Sequence, residues 1–402
     1  MLLALEQAQA LLADIPIPQL GTENRPIAAA LDRILAQDYV AVQNVPNYDN
    51  SAMDGYAINS AQVVPDAGLR IVAEICAGAS SSRTLGAGEC ARIMTGSALP
   101  PGCDSVVMQE NCVREGDQVR IQQWPKPGEN IRRAGSDLRA GDLALRRGEA
   151  LTPVSIGVLA LLGFAEVAVY TRPKVGLFST GDELRQPGGA LEAGQVYDSN
   201  RFMIKSMLQR LPVDIIDYGC LPDNYAIIEE TLLRASEECD CILSSGGVSV
   251  GDADFTRDAL LANGQIGFYK IAMKPGKPLA FGHLGRACFF GLPGNPVSAC
   301  VTFHELALPL LERFTGKNTQ TKIRLRATAK CTLKKRPGRV DFQRGLMTVE
   351  SDGRICVVSA GSQSSAVLTA VKKANCFICL EQERGDVLVG EEVWVDPFDT
   401  FL

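Results

Sequence analysis

Three glycine-rich loops, each directly after a short apolar run, occupy residues 242–298 and restrict the folds open to this chain. Ile242-Leu-Ser-Ser245 leads into Gly246-Gly247-Val-Ser249-Val-Gly251-Asp252-Ala-Asp254. Tyr269-Lys270-Ile-Ala-Met273 leads into Lys274-Pro-Gly-Lys277-Pro278. Ala287-Cys-Phe-Phe290 leads into Gly291-Leu-Pro293-Gly-Asn-Pro296-Val-Ser298, ahead of a helix. In an open α/β sheet, ligands bind outside the carboxyl ends of the strands, where such loops gather. Glycine lets backbone N–H groups close on phosphate oxygens, and a helix N-terminus adds favourable partial charge. The lysines supply counter-charge, and Asp252 and Asp254 suit a hard cation held between carboxylate and phosphate. The pattern points to a phosphorylated or otherwise anionic small molecule.

The rest of the chain narrows the chemistry. Its 402 residues suggest about two to four domains. A formal charge of -6 argues against nucleic acid, which requires a basic footprint. Glu6 and Asp14 interrupt the N-terminus before any secretory apolar stretch, and Val154 to Ala165 is too short for a membrane span. The thirteen cysteines are odd in number and scattered through strand-like runs, as expected for buried, reduced thiols of a cytoplasmic protein. Cys239-x-Cys241 and Cys376-x-x-Cys379 lack a second close pair, and His283 and His304 are the sole histidines, so a zinc site is not indicated. With so little imidazole, catalysis here must use carboxylates, lysines or a metal.

Periodicity divides the chain. Leu2 to Asp14 and Pro26 to Gln37 carry apolar residues at helical spacing, the second with proline suited to the first helical position. From about Val45 to Trp124, short β-type runs broken by Gly, Pro and Asp read as a small β-rich domain. A polar loop, Lys126 to Asp137, leaves it, and Thr152-Pro153 opens a helix ending near Gly163. Between Lys174 and Thr315 strands and helices alternate, with strands near Val175–Ser179, Val213–Tyr218 and Cys239–Ser245 and helices near Asn200–Leu211 and Tyr225–Glu238. That rhythm implies a mainly parallel sheet covered on both faces, and the remainder reads as a small all-β domain.

Further acids fall at strand ends in Ser179-Thr-Gly-Asp-Glu183, Tyr197-Asp-Ser-Asn200 and Pro222-Asp223-Asn224. Taken singly, the last two are ordinary turn and N-cap sequences. Together they give a rim of Glu183, Asp223 and Asp254 facing Lys270, Lys274 and Lys277, suited to Mg²⁺ bridging a phosphate ester. Gly247-Val-Ser249-Val-Gly251 also matches the Gly-x-Ser-x-Gly elbow of serine hydrolases, but Gly251 to Asp254 delays the helix an elbow requires, and His304 is awkwardly placed as a base. Gly86-Ala-Gly88-Glu-Cys-Ala91 has no βαβ setting for a dinucleotide, and no Walker A sequence is present.

Ser51-Ala-Met-Asp54-Gly-Tyr-Ala57, Met94-Thr95-Gly96, Ser179–Glu183, Gly246–Gly251 with Asp254, Lys274–Pro278, Gly291–Ser298 and Gly338-Arg339-Val-Asp-Phe-Gln-Arg-Gly345 together resemble the molybdopterin molybdenumtransferase family. These are the MoeA proteins and the homologous E domain of gephyrin, and the resemblance runs across essentially the whole chain. It implies a Mg²⁺-dependent transferase that inserts molybdate into adenylylated molybdopterin and releases AMP. It further implies a multidomain homodimer with composite sites and contacts with other proteins of molybdenum cofactor synthesis. The implied layout is a discontinuous, helical and elongated dimerisation segment (1–44 and 133–172), a β-rich domain (45–132), a mainly parallel α/β molybdopterin-binding domain (173–317) and a C-terminal β-barrel (318–402).

By motif position, Glu183, Asp223 and Asp254 would serve the metal and pyrophosphate, beside Lys270. Lys274, Lys277, Pro278, Ser298 and Arg339 would line the molybdate pocket. Gly246, Gly247, Ser249, Gly251, Pro293 and Pro296 would hold substrate, while Asp54, Thr95 and Asp137 would come from the β-rich domain and its exit loop. Where many members have Gly-Ser followed by His or Gly, this chain has Gly361-Ser-Gln-Ser-Ser365-Ala366, so Ser365 is a candidate for molybdate while the choice among the serines of 362–365 stays open. A serine hydrolase acting through Ser249 and a non-catalytic dimeric scaffold are the rival classes.

Overall fold

The computed structural model describes residues 2–63, 67–79, 81–247, 255–318, 322–398 and 402. The alternating stretch forms a six-stranded sheet from, in chain order, β1 (Lys174–Thr180), α1 (Ser199–Leu208), β2 (Asp214–Leu221), α2 (Tyr225–Glu238), β3 (Cys241–Ser245), α3 (Phe255–Asn263), β4 (Gln265–Lys270), β5 (Pro278–Leu284), β6 (Ala287–Leu292) and α4 (Pro296–Thr302). Strand order is β2-β1-β3-β6-β5-β4; the first four run parallel and β5 is antiparallel to both neighbours. Residues of β3 are buried without alternation, as a strand covered on both faces requires. Val175 and Leu177 pack on one face against Ile204 of α1 and Val301 of α4. Phe178 and Ile242 pack on the other against Ile228 and Leu232 of α2 and Leu260 of α3.

Helix starts follow local chemistry. The Asp198 carboxylate accepts from the Arg201 N–H at the head of α1 (3.2 Å), and Asn224 does the same for Ile227 at the head of α2 (3.2 Å). Thr152 caps the helix Pro153–Leu161 by accepting from Ser155 N–H at 3.1 Å, as its sequence indicates. The first helix, Leu5–Ala13, buries Leu5, Ala8 and Leu12 in the α/β core.

The helical spacing of Pro26 to Gln37 misleads. Pro26 ends a strand, Thr22–Pro26, that pairs antiparallel with Glu166–Tyr170, and Ile27–Ala29 is one 3₁₀ turn. Donors that a helix would use internally go to distant carbonyls instead: Ile27 to Ala165, Leu35 to Glu149 and Ala36 to Ala168. Asp32, at φ +62°, breaks any continuing helix. Tyr39–Val40 pairs likewise with Leu143–Leu145, so this part of the chain is built mainly of ladders rather than helices.

The β-rich unit is a six-stranded sheet running Ser105–Met108, Gly55–Ile58, Glu89–Ile93, Leu69–Ile75, Gln118–Ile121 and Cys112–Glu115. The C-terminal unit is a closed barrel of Val340–Val349, Ile355–Ser359, Leu325–Ala329, Glu392–Pro397 and Cys376–Leu380, the last pairing back onto the first. Two features tie it to the α/β unit. Met273–Lys274 leaves the run that follows β4 and pairs with Val340–Asp341, so the apolar stretch Tyr269–Met273 divides between two sheets. Beyond α4 the helix passes through a π turn, Phe303–Ala307, where buried Glu305 meets Lys322 of the connecting segment at 2.7 Å. Lys322 also pairs with buried Asp396 of the barrel.

All thirteen cysteines are free; Cys76 is exposed and Cys103, Cys112, Cys220 and Cys331 are half-buried, which corrects the expectation of uniformly buried thiols. Among the described residues no helix is long and apolar enough to cross a membrane.

Candidate active site

The carboxyl ends of β1, β3 and β6 open into a cleft of 1030 Å³. All three of the sequence's glycine loops contribute to it, the first as far as Gly247 among the described residues. Gly246 and Gly247 leave β3 at φ +90° and +66°, and a Cβ on Gly247 would lie 2.2 Å from Thr256 Oγ1, so no other residue fits there. Asn200 of α1 braces two loops at once, donating to Ser245 Oγ (2.9 Å) and Gly294 O (2.7 Å). Beneath them lies a buried ionic floor. Ser179 Oγ and Arg201 Nε both donate to Asp198, at 2.6 and 2.9 Å, and Arg201 Nη1 reaches both oxygens of Asp217 at 2.8 Å. Burial alone would push the Asp217 carboxyl up; its bonds to Lys205, the Gly219 N–H and Arg201 hold it below its usual value instead.

Charge is divided across the sheet. Glu183 and Asp223 line the cleft from the loops after β1 and β2, at one edge. Burial raises the Asp223 carboxyl above its ordinary value, and the negative charges of Asp182 and Glu183 add to that rise. Asp223 and Glu183 together supply oxygen ligands of the kind a hard cation takes. Lys274 and Lys277 enter from the β4–β5 connection at the other edge, with Arg339 from the barrel. Lys274 Nζ lies 3.2 Å from Asp341, while Lys277 and Arg339 have no ion-pair partner among the described residues. Two cations without an ion-pair partner among the described residues and the α4 N-terminus, with Ser298 in its first turn, give this end a positive field of the kind that suits an oxyanion.

Of the residues singled out in the sequence, Glu183, Asp223, Gly246, Gly247, Lys274, Lys277, Pro278, Pro293, Pro296, Ser298, Arg339 and Ser365 line this one cleft. Lys270 does not: its ammonium lies 5.6 Å over the Tyr269 ring instead. Asp54, Thr95 and Asp137 are not among the cleft-lining residues of the same chain. Asp54 instead accepts from both the N–H and the hydroxyl of Thr95 at 2.7 Å, bonds that hold its carboxyl below the usual range. Ser249, Gly251, Asp252 and Asp254 lie outside the described residues.

Arg344 was not evident from the sequence. Its guanidinium, 1% exposed, donates to the carbonyls of Phe342 (3.1 Å), Ser362 (3.4 Å) and Ser364 (3.4 Å) and so shapes the 361–366 loop. Gln363 fastens the same loop by exchanging bonds with the Arg344 backbone, and Ser365 O accepts from Val297 N–H at 3.0 Å. The motif Gly338–Gly345 contains Arg344, but its bonds to carbonyls of a later loop have no pattern in the sequence. Neither histidine lines the cleft. His304 lies 3.2 Å from Glu305 in the π turn, and His283 is on β5 beside Cys288.

Three family models cover the chain in order: the MoeA N-terminal region (domains I and II) over residues 3–163, a probable molybdopterin binding domain over 176–313, and the MoeA C-terminal region (domain IV) over 326–398. A molybdopterin molybdenumtransferase of Haemophilus influenzae is 46% identical over 404 residues, covering the whole of both chains. One from Staphylococcus aureus is 34% identical, covering 87% of this chain and 85% of its own. A crystal structure of a molybdopterin biosynthesis MoeA protein from Pyrococcus horikoshii matches with a TM-score of 0.83 at 28% identity, over 99% of this chain and all of that one. The glycine loops, the polarised cleft and these relatives agree, and the chain belongs to the molybdopterin molybdenumtransferase family of enzymes.

Proposed function

We propose that this cleft inserts molybdate into the dithiolene of adenylylated molybdopterin and releases AMP. The observation that carries the reading is the separation of charge across one cleft: Lys274, Lys277 and Arg339 at one end, Glu183 and Asp223 at the other. Molybdate is a dianionic tetrahedral oxyanion, so lysine and arginine N–H groups, the Ser298 hydroxyl and backbone N–H groups suit it. Within the 361–366 loop, Ser362 Oγ and Ser364 Oγ each accept from a backbone N–H, whereas the Ser365 hydroxyl makes no hydrogen bond among the described residues. That favours Ser365 as the serine turned to molybdate.

Glu183 and Asp223, with Asp254 by motif position, would hold Mg²⁺, which when bound neutralises pyrophosphate charge and so eases departure of AMP. The chain's own part is to fix the two anionic ends of the substrate at opposite edges of one sheet. The test is AMP release from adenylylated molybdopterin, which should require both molybdate and Mg²⁺; turnover indifferent to molybdate would refute the assignment, and no turnover would leave a binding scaffold.

The same reading gives a domain division at 1–44 with 133–172, 45–132, 173–317 and 318–402, and a homodimer. Exposed Val154 (76%) and Leu161 (51%) on one short helix, with Val42 (65%) nearby in the paired segments, support a second copy there. A soluble, cytoplasmic enzyme would meet other proteins of cofactor synthesis to receive substrate and pass on product.

Lys274→Ala and Arg339→Ala are expected to raise the molybdate requirement, each removing a charge-assisted contact of about 1.5–3 kcal/mol, roughly a tenfold to hundredfold loss of affinity. Molybdate titration of AMP release measures this. Unchanged half-saturation in both variants would place the pocket elsewhere.

A further inference from the structure

Among the residues that line the cleft, Tyr197 is the sole aromatic, and its placement is specific. It lies at the end of a two-residue strand, Val196–Tyr197, that pairs parallel with Leu184–Arg185 in the loop leaving β1. Val196 N–H donates to Glu183 O and Asp198 N–H to Arg185 O, each at 2.9 Å, so the flap carries Glu183 and Tyr197 on one fixed piece of backbone. The phenol donates to Gly189 O at 2.5 Å, which fixes the ring while 42% of the residue stays exposed. Val196, 51% exposed, and Leu184 line the cleft beside it. An exposed, immobilised ring with two aliphatic neighbours, in a cleft otherwise rich in charge and glycine, is a rest for a flat ring of the ligand.

Sheet order says which ring. The lysines stand at the β4–β5 edge, the acids at the β1–β2 edge, and the Tyr197 flap follows β1. In adenylylated molybdopterin the dithiolene and pterin lie on one side of the pyrophosphate and the adenosine on the other. With the dithiolene at the lysine edge and the pyrophosphate at Glu183 and Asp223, the flap lies beside Glu183 on the side away from the lysines, where the adenosine joins the pyrophosphate.

We propose that Tyr197, flanked by Leu184 and Val196, stacks on the adenine and makes this half of the site select a nucleotide base; the inference rests on the substrate reading above. Loss of one base–aromatic stack is expected to weaken binding about tenfold or more.

The test is calorimetric titration of the full-length protein with AMP, ribose 5-phosphate and a free pterin, each with Mg²⁺. Tyr197→Ala should weaken AMP about tenfold while leaving ribose 5-phosphate and pterin unchanged, and Tyr197→Phe should keep AMP within about threefold, since it retains the ring. In turnover, Tyr197→Ala should raise KM for adenylylated molybdopterin with little change in kcat, because the ring touches no bond that breaks. Unchanged AMP affinity in Tyr197→Ala overturns the proposal, as does an equal loss for ribose 5-phosphate, which would mean a merely structural role. A loss confined to pterin assigns the ring to the other half and also overturns it. If the unaltered protein neither binds AMP nor releases it, the substrate reading falls as well; if it turns over and the variant's KM is unmoved, this inference fails alone.

Discussion

Equal amounts of Asp54→Ala and Glu183→Ala chains, unfolded together and refolded, are expected to recover about a quarter of wild-type AMP release, although neither variant alone is active. Asp54 and Thr95 form a tight hydrogen-bonded pair on the β-rich unit, yet neither lines the cleft that holds Glu183 in the same chain. If both residues serve one reaction, Asp54 must come from a second chain. In a two-fold dimer each mixed molecule then carries one site with both halves intact and one with both altered. Random assembly makes about half the dimers mixed, each with one good site of two. Activity of the refolded mixture, with mixed dimers verified by mass, measures it. Recovery no greater than the separate variants would show that Asp54 does not complete the partner's cleft.

Lys322→Met is expected to cost about 3–5 kcal/mol, because it strands buried charges between the α/β unit and the barrel. Lys322 bridges Glu305 (2% exposed) and Asp396 (2% exposed), with His304 3.1 Å from its ammonium and Arg324 3.7 Å from Glu305. Burial alone would raise the Glu305 carboxyl; its bonds to His304 and Lys322 bring it down to about 2. A carboxylate lowered on folding contributes stability that is fully present above its unfolded value near 4.5 and is lost as pH falls toward 2. Asp396 works in the opposite sense, since burial raises it and the folded form takes up its proton first. The gap between wild type and Lys322→Met should therefore be largest above about pH 4.5 and narrow as pH falls toward 2, read from urea midpoints across that range. A constant gap would mean that lost packing, rather than lost charge, sets the cost. Lys322→Met combined with Glu305→Leu and Asp396→Leu should recover much of the loss, as apolar replacement of a whole buried ion cluster often does.

Much of the site could be read in the sequence because strand ends in a parallel sheet share an edge, so each loop's place follows from the rhythm of strands and helices alone. Tyr225–Glu238 falls where the periodicity puts it, and Gly246–Gly247 and Gly291–Ser298 meet as expected. Residues 26–37 failed for a physical reason: helical spacing of apolar residues cannot reveal that carbonyls of Glu149, Ala165 and Ala168 will claim the donors. Lys270 lies outside the cleft lining because its ammonium rests over the Tyr269 ring, a contact that the strand pattern does not show. Arg344 was unreadable because its partners are carbonyls brought close only by the closed barrel.

The short stretch 274–278 has one foot in each of two sheets. Lys274 belongs to a strand laid on the barrel, and Pro278 begins β5 of the α/β sheet, with Lys277 just before it. The distance between the two ammonium groups is thus a caliper with one jaw on each sheet, and its opening records how squarely the barrel sits. A tilt of the barrel too small to alter either unit would respace the jaws and change which oxyanion they grip. Sulfate, smaller than molybdate and of the same charge and shape, is the natural gauge. Variants that loosen the barrel's seating at Lys322 should lose discrimination between the two ions before they lose affinity for either.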